Sequence, residues 1–143
     1  MHSQIILIKN TKGVKMLEVY NNKHKNIGYI DGKNYFNKKK KKIGFLEGNM
    51  VKNKRGFPLL KLDKNDNILI FGDEKVGFIL DSKISDDDGT ICEISKEKGE
   101  LLDPEGEVLL SLEGNYETLE LMDYFGIAGT YLKSIWSEKV FRS

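Results

Sequence analysis

The 143-residue chain holds one alanine, one cysteine and two prolines. Alanine is the best helix former, and its near-absence beside 14 Gly, 6 Tyr and 7 Phe disfavours a helical bundle. The lone thiol, Cys92, excludes an intramolecular disulfide framework and a cysteine-rich zinc site. Histidine is nearly as scarce. His2 and His24 are far apart, so each reads as a solvated side chain rather than a metal ligand or an acid–base group. Long hydrophobic runs are missing too. Ile5–Ile8 is closed by Lys9 and is far short of a signal sequence. The longest uncharged stretch lies between Asp123 and Lys133, too short to span a bilayer. A cytoplasmic protein with no transmembrane segment is expected.

What is present is a chain of single-domain length with enough apolar residues for a core. Its charge is lopsided. Residues 1–75 carry 17 Lys/Arg against 7 Asp/Glu, and residues 76–143 carry 6 against 15. The halves are therefore +10 and −9, and the net charge is +1. Such a split marks either a polyanion-binding half or two halves that neutralise each other, within a chain or between chains.

Repetition is the strongest signal. Ile27-Gly28-Tyr29-Ile30-Asp31-Gly32 recurs sixteen residues on as Ile43-Gly44-Phe45-Leu46-Glu47-Gly48, and again as Val76-Gly77-Phe78-Ile79-Leu80-Asp81. Phe57-Pro58-Leu59-Leu60 is a copy without the glycine. Between the copies lie Asn10–Gly13, Asn53–Gly56, Asp86–Gly89 and Asp103–Gly106, all Asn/Asp-x-x-Gly, a type I turn signature. Asn22–Lys25, Asn37–Lys40 and Gly72–Lys75 take the same place with Lys last. Val108, Leu110 and Leu112 alternate at the strand period, as do Val76, Phe78 and Leu80. The unit is a short β-hairpin. Six or seven fill residues 4–115, the first, at 4–17, being the least regular. Gly89 and Gly106 are expected at positive φ. The strand glycines predict a bulge or a close approach of neighbouring backbones, with Tyr29, Phe45 and Phe78 covering a common core.

From Glu117 the spacing turns helical. Leu121, Phe125, Ala128, Leu132 and Ile135 form one stripe, with Asp123, Lys133 and Glu138 off it. One helix over residues 117–137, packed on the hairpins, is predicted. The fold class is mainly β: six or seven hairpins of about 16 residues, radial or closed into a barrel, plus a C-terminal helix.

The run Val19–Gly48, with its turn, Ile-Gly-aromatic and Asp/Glu-Gly phrasing, resembles the bacterial four-fold beta flower proteins, hairpin-repeat proteins of unknown function. In architecture alone, hairpins followed by an apolar helix are similar to the tubby-like and scramblase-like barrels, which implies twelve strands around a central helix.

Candidate chemistry is sparse. Asp63, Asn65, Asn67, Ile70 and Glu74 follow EF-hand positions, but Ile68 stands where the loop needs Gly, so a polar turn before a buried strand is the expectation. Ser95–Lys98 contains Ser-x-x-Lys without its partner motifs. The candidate contact residues are Lys38, Lys39, Lys40, Lys41, Lys42, Lys54 and Arg55, for nucleic acid or an anionic lipid surface. Tyr35, Phe36 and Phe45 lie near them and would either stack on bases or enter the core. No catalytic residue, metal ligand or cofactor is expected. The reading is a non-catalytic binding or scaffolding module for a protein partner or its own copies, with polyanion binding by the basic half as the alternative.

Overall fold

The structure, a computed structural model, describes residues 16–70 and 72–132. Its strands are β1 (Met16–Tyr20), β2 (Asn26–Asp31), β3 (Asn34–Asn37), β4 (Lys42–Glu47), β5 (Met50–Asn53) and β6 (Pro58–Leu62). They continue with β7 (Asn67–Ile70), β8 (Glu74–Leu80), β9 (Lys83–Asp86), β10 (Gly89–Ser95), β11 (Glu100–Leu102) and β12 (Val108–Glu113). A 3-10 turn over Tyr116–Thr118 leads into the helix α1 (Leu121–Tyr131). Each strand pairs antiparallel with its chain neighbours, and β1 pairs with β12, closing a twelve-stranded barrel with no free edge.

The side-chain alternation explains the closure. Inward positions such as Val19, Ile30, Val51, Ile68, Ile84, Leu101 and Leu110 are almost wholly buried, while their neighbours along each strand face out. Eight strands give an interior that side chains alone can fill, so twelve leave room for more. The helix supplies the filler. Asp123 through Thr130 are all buried, on every side of the helix, so α1 runs inside the barrel. The single stripe read from the sequence is thereby corrected. The helix also starts later than residue 117, at Leu121. The Glu120 N–H donates to Asp123 Oδ2 there at 2.8 Å, and Lys33 Nζ donates to Asp123 Oδ1 at 2.5 Å in an ion pair. Lys133, Ile135, Glu138 and the helix end at 137 lie outside the described residues.

Six hairpins fill residues 16–113, and the expected hairpin over 4–17 lies almost wholly outside the described residues. Every hairpin carries one register shift, between Val19 and Tyr20, Tyr35 and Phe36, Val51 and Lys52, Ile68 and Leu69, Thr90 and Cys92, and Leu101 and Leu102. The unpaired residue is aliphatic each time: Ile27, Ile43, Leu59, Val76, Ile91 and Leu109. A bulge bends its strand and raises its twist, which closes a barrel of short strands. The glycines that follow sit against the next strand. A β-carbon on Gly28, Gly44 or Gly77 would stand 2.5, 2.6 or 2.5 Å from the carbonyl oxygen of Phe36, Lys52 or Ser85.

One expectation is overturned here. Tyr29, Phe45 and Phe78 lie on the outer wall, because their glycine neighbours take the inward positions. Lysines cover them: Lys40 over Tyr29, Lys42 over Phe45 and Lys75 over Phe78, at 5.1, 4.6 and 5.5 Å from the ring centres. No helix among the described residues is long and apolar enough to cross a membrane.

Candidate docking rim

Because the strands are short and follow one another around the barrel, their connections gather at two rims. One rim carries six loops in chain order. Loop 1 is Asn21–Lys25, loop 2 is Lys38–Lys41 with Lys42 beside it, and loop 3 is Lys54–Phe57. Loop 4 holds Gly72 and Asp73 with Glu74 beside them, loop 5 is Asp87–Asp88, and loop 6 is Asp103–Glu107.

The first three loops share one construction. The side chains of Asn21, Asn37 and Asn53 each accept two backbone N–H bonds, from Lys23 and Lys25, Lys39 and Lys41, and Arg55 and Phe57, at 2.9–3.0 Å. The fourth residue of each turn, His24, Lys40 or Gly56, takes positive φ and donates its N–H back to the Asn carbonyl. Asp103 builds loop 6 the same way, holding the N–H groups of Glu105 and Glu107. The first turn therefore begins at Asn21, one residue before the expected Asn22. The turn expected over Gly72–Lys75 is cut short because β8 starts at Glu74. Asn10–Gly13 lies outside the described residues. Gly89 and Gly106 do take positive φ, +127° and +87°.

These fixed turns bring the sequence candidates together. Lys38–Lys42, Lys54 and Arg55, with Lys23 and Lys25, occupy three neighbouring loops, all exposed and free of carboxylates. They do not all point away from the rim, since Lys40 and Lys42 lie back along the outer wall on Tyr29 and Phe45. Phe57, at the end of loop 3, is 69% exposed and has no counterpart among the sequence candidates. Of the candidate stacking rings, Tyr35 is buried beneath the helix, and Phe36 and Phe45 are half-buried on the wall.

The other three loops are acidic. Asp73, Glu74, Asp87, Asp88, Asp103, Glu105 and Glu107 lie on the same rim, across from the lysines. Glu113 belongs to the opposite rim, at the end of β12. That the two arcs share a rim is readable from strand parity, since successive even-numbered connections return to one end. Two ion pairs among the described residues lie away from this rim: Lys33–Asp123 ties the helix to the far rim, and Lys52–Glu47 sits on the outer wall.

The other titratable groups are placed for structure. Burial pushes the Cys92 thiol up to about 12, which leaves it a poor nucleophile. His24 stacks on Tyr20, whose hydroxyl donates to Glu18 and is pushed up to about 12 by that bond. Asp63 accepts the N–H groups of Asn65 and Asn67 at the far rim, bonds that hold its carboxyl below the usual range. Strand β7 separates it from Glu74, so the EF-hand spacing does not fold into a ligand cage. Among the described residues no three His, Cys, Asp or Glu side chains are gathered for a metal ion. Compared with protein families, with curated proteins and with solved structures, the chain gives no match in any of the three, so the four-fold beta flower resemblance stands on its sequence phrasing alone.

Proposed function

We propose that the protein is a non-catalytic binding module that docks through its loop rim. The observation that carries this reading is the division of the six rim loops, four of them fixed by Asn or Asp side chains, into three contiguous basic and three contiguous acidic ones. The backbone of an Asx-fixed turn is ordered before contact, so docking loses less free energy to loop ordering. The buried groups with raised acidity constants fit the same reading. Cys92, Tyr35, Tyr124 and Tyr131 are packed into the wall and core, where burial raises all four. A single buried thiol suits a reducing compartment such as the cytoplasm.

Polyanion docking by the basic arc is the second reading, favoured by the exposed Phe57 ring beside Lys54 and Arg55. The two are tested together. Association with duplex nucleic acid, with phosphatidylserine vesicles and with itself is measured at about 50 mM salt, where electrostatic contacts are strong. A variant with Lys38, Lys39, Lys41, Asp87, Asp88 and Glu105 all changed to Ser is compared. Association that the variant loses while its thermal melt stays unchanged supports a docking rim. Wild-type protein that associates with none of the three overturns it.

A further inference from the structure

The six loops follow each other around the rim in the order of the chain, with signs basic, basic, basic, acidic, acidic, acidic. A second copy placed rim to rim by a half-turn perpendicular to the barrel axis meets these loops in reverse order. With the axis running through the boundaries between the arcs, loop 1 falls on loop 6, loop 2 on loop 5 and loop 3 on loop 4. Lys23 and Lys25 then face Glu105 and Glu107, and the lysines of loop 2 face Asp87 and Asp88. Lys54 and Arg55 face Asp73 and Glu74. Every other half-turn setting lays at least one pair of like-charged loops together. A twofold contact uses the same patch on both partners, and this patch is complementary to itself in a single register.

We infer that the partner of the rim is a second copy of this chain, held in that register. The inference deepens the docking reading and rests on it. Phe57 adds an apolar element. It sits on loop 3, next to the axis, where the two copies meet, and its 69% exposure is lost on contact. Opposed charges on the facing loops speed the encounter and set the register, and their attraction weakens as salt rises.

Sedimentation of the full chain at tens of micromolar tests this. A dimer at about 50 mM salt that dissociates at high salt is expected, because screening shortens the reach of rim charges. The register has its own test. Variant one carries Lys38→Glu, Lys39→Glu and Lys41→Glu; variant two carries Asp87→Lys and Asp88→Lys. Each alone sets like charges together twice and is expected to be monomeric. Mixed, they restore opposite signs at both contacts and are expected to form a heterodimer. Variant one mixed with a Glu105→Lys, Glu107→Lys chain is expected to stay monomeric. Thermal melts equal to wild type show that each variant is folded. A wild type that is monomeric at low salt, or a variant one that dimerises as well as wild type, overturns the inference. In either case vesicle or duplex binding by the basic arc leaves the docking rim standing without its own copy as partner, and no binding removes both.

Discussion

The Tyr131 ring of α1 lies directly on Gly28 of β2: a β-carbon there would stand 2.6 Å from Tyr131 Cε1 and 2.5 Å from the carbonyl oxygen of Phe36. The Tyr131 hydroxyl accepts from the Phe36 N–H at 3.1 Å and lies 2.9 and 2.8 Å from the Tyr29 and Phe36 carbonyls, one of which receives its proton. The last turn of the helix is thus fastened to the β2–β3 ladder through a space that a methyl group would fill.

Gly28→Ala is therefore expected to destabilise the protein by about 1–3 kcal/mol or more, since one of its clashes is with backbone that cannot swing away. Tyr131→Phe keeps the ring and loses the hydroxyl, with an expected cost of about 1–3 kcal/mol for the buried groups left unpaired. Denaturant melts of the two single variants and the double check this. Gly28→Ala should stay destabilising even with Tyr131 cut to Ala, because the Phe36 carbonyl remains.

The hairpin repeat, the turn column and the late helix were legible in the sequence because each is a local pattern of one residue type against another. What was not legible came from the third dimension. Gly28, Gly44 and Gly77 announce a close approach, but not that they face inward and turn Tyr29, Phe45 and Phe78 outward. The apolar stripe Leu121–Leu132 reads as one helix face, since nothing local says that the barrel closes around the other faces too. Asp123 looks like a solvated off-stripe residue until Lys33 is brought to it from ninety positions away. The rim charges are visible as a split between halves, while their return to one end needs the number of strands between them.

Gly126 gives a second packing prediction. A β-carbon there would stand 2.0 Å from the Tyr35 hydroxyl oxygen and 3.4 Å from Leu46 Cδ1. Alanine favours a helix by about 1 kcal/mol over glycine, yet Gly126→Ala is expected to lower the melting temperature because overpacking exceeds that gain. Tyr35→Phe in the same chain removes the closest atom and should recover part of the loss. By this reasoning Gly126→Ala costs more than Gly106→Ala, whose site is open space at φ +87°. The reverse order in thermal melts would mean that the helix does not sit against β3.

The core predicts an alkaline transition. Burial raises the Cys92 thiol and the Tyr124 hydroxyl to about 12 each, and raises Tyr35 and Tyr131 as well. In the unfolded chain these groups titrate near about 8.5 for the thiol and about 10 for tyrosine. The folded state therefore favours the neutral forms. That stability is complete below about pH 8.5 and drains away as pH climbs toward the folded values. Tyrosinate absorbance should rise together with loss of the β signal. Cys92 should react with a thiol reagent at pH 8 far more slowly in the folded chain than in urea. A rapid native reaction would place the thiol on the surface.

Loop order and loop charge can be separated at Asn37. Its side-chain oxygen accepts the N–H groups of Lys39 and Lys41 and so fixes loop 2 without contributing charge. Asn37→Ala keeps all five lysines and is expected to cost about 1 kcal/mol of stability, the usual worth of a side chain that satisfies turn N–H groups. It should also weaken rim association, because the loop must then be ordered at the moment of contact. Lys38→Ser with Lys39→Ser and Lys41→Ser does the opposite. It removes charge from an intact turn, so stability should stay within about 0.5 kcal/mol while association falls and its salt dependence flattens. Melts and sedimentation on the two variants form one experiment in which both are expected to lose association and only Asn37→Ala to lose stability. If Asn37→Ala weakens the fold but leaves association untouched, charge alone drives the contact. If the lysine variant associates as well as wild type at low salt, loop 2 takes no part in docking.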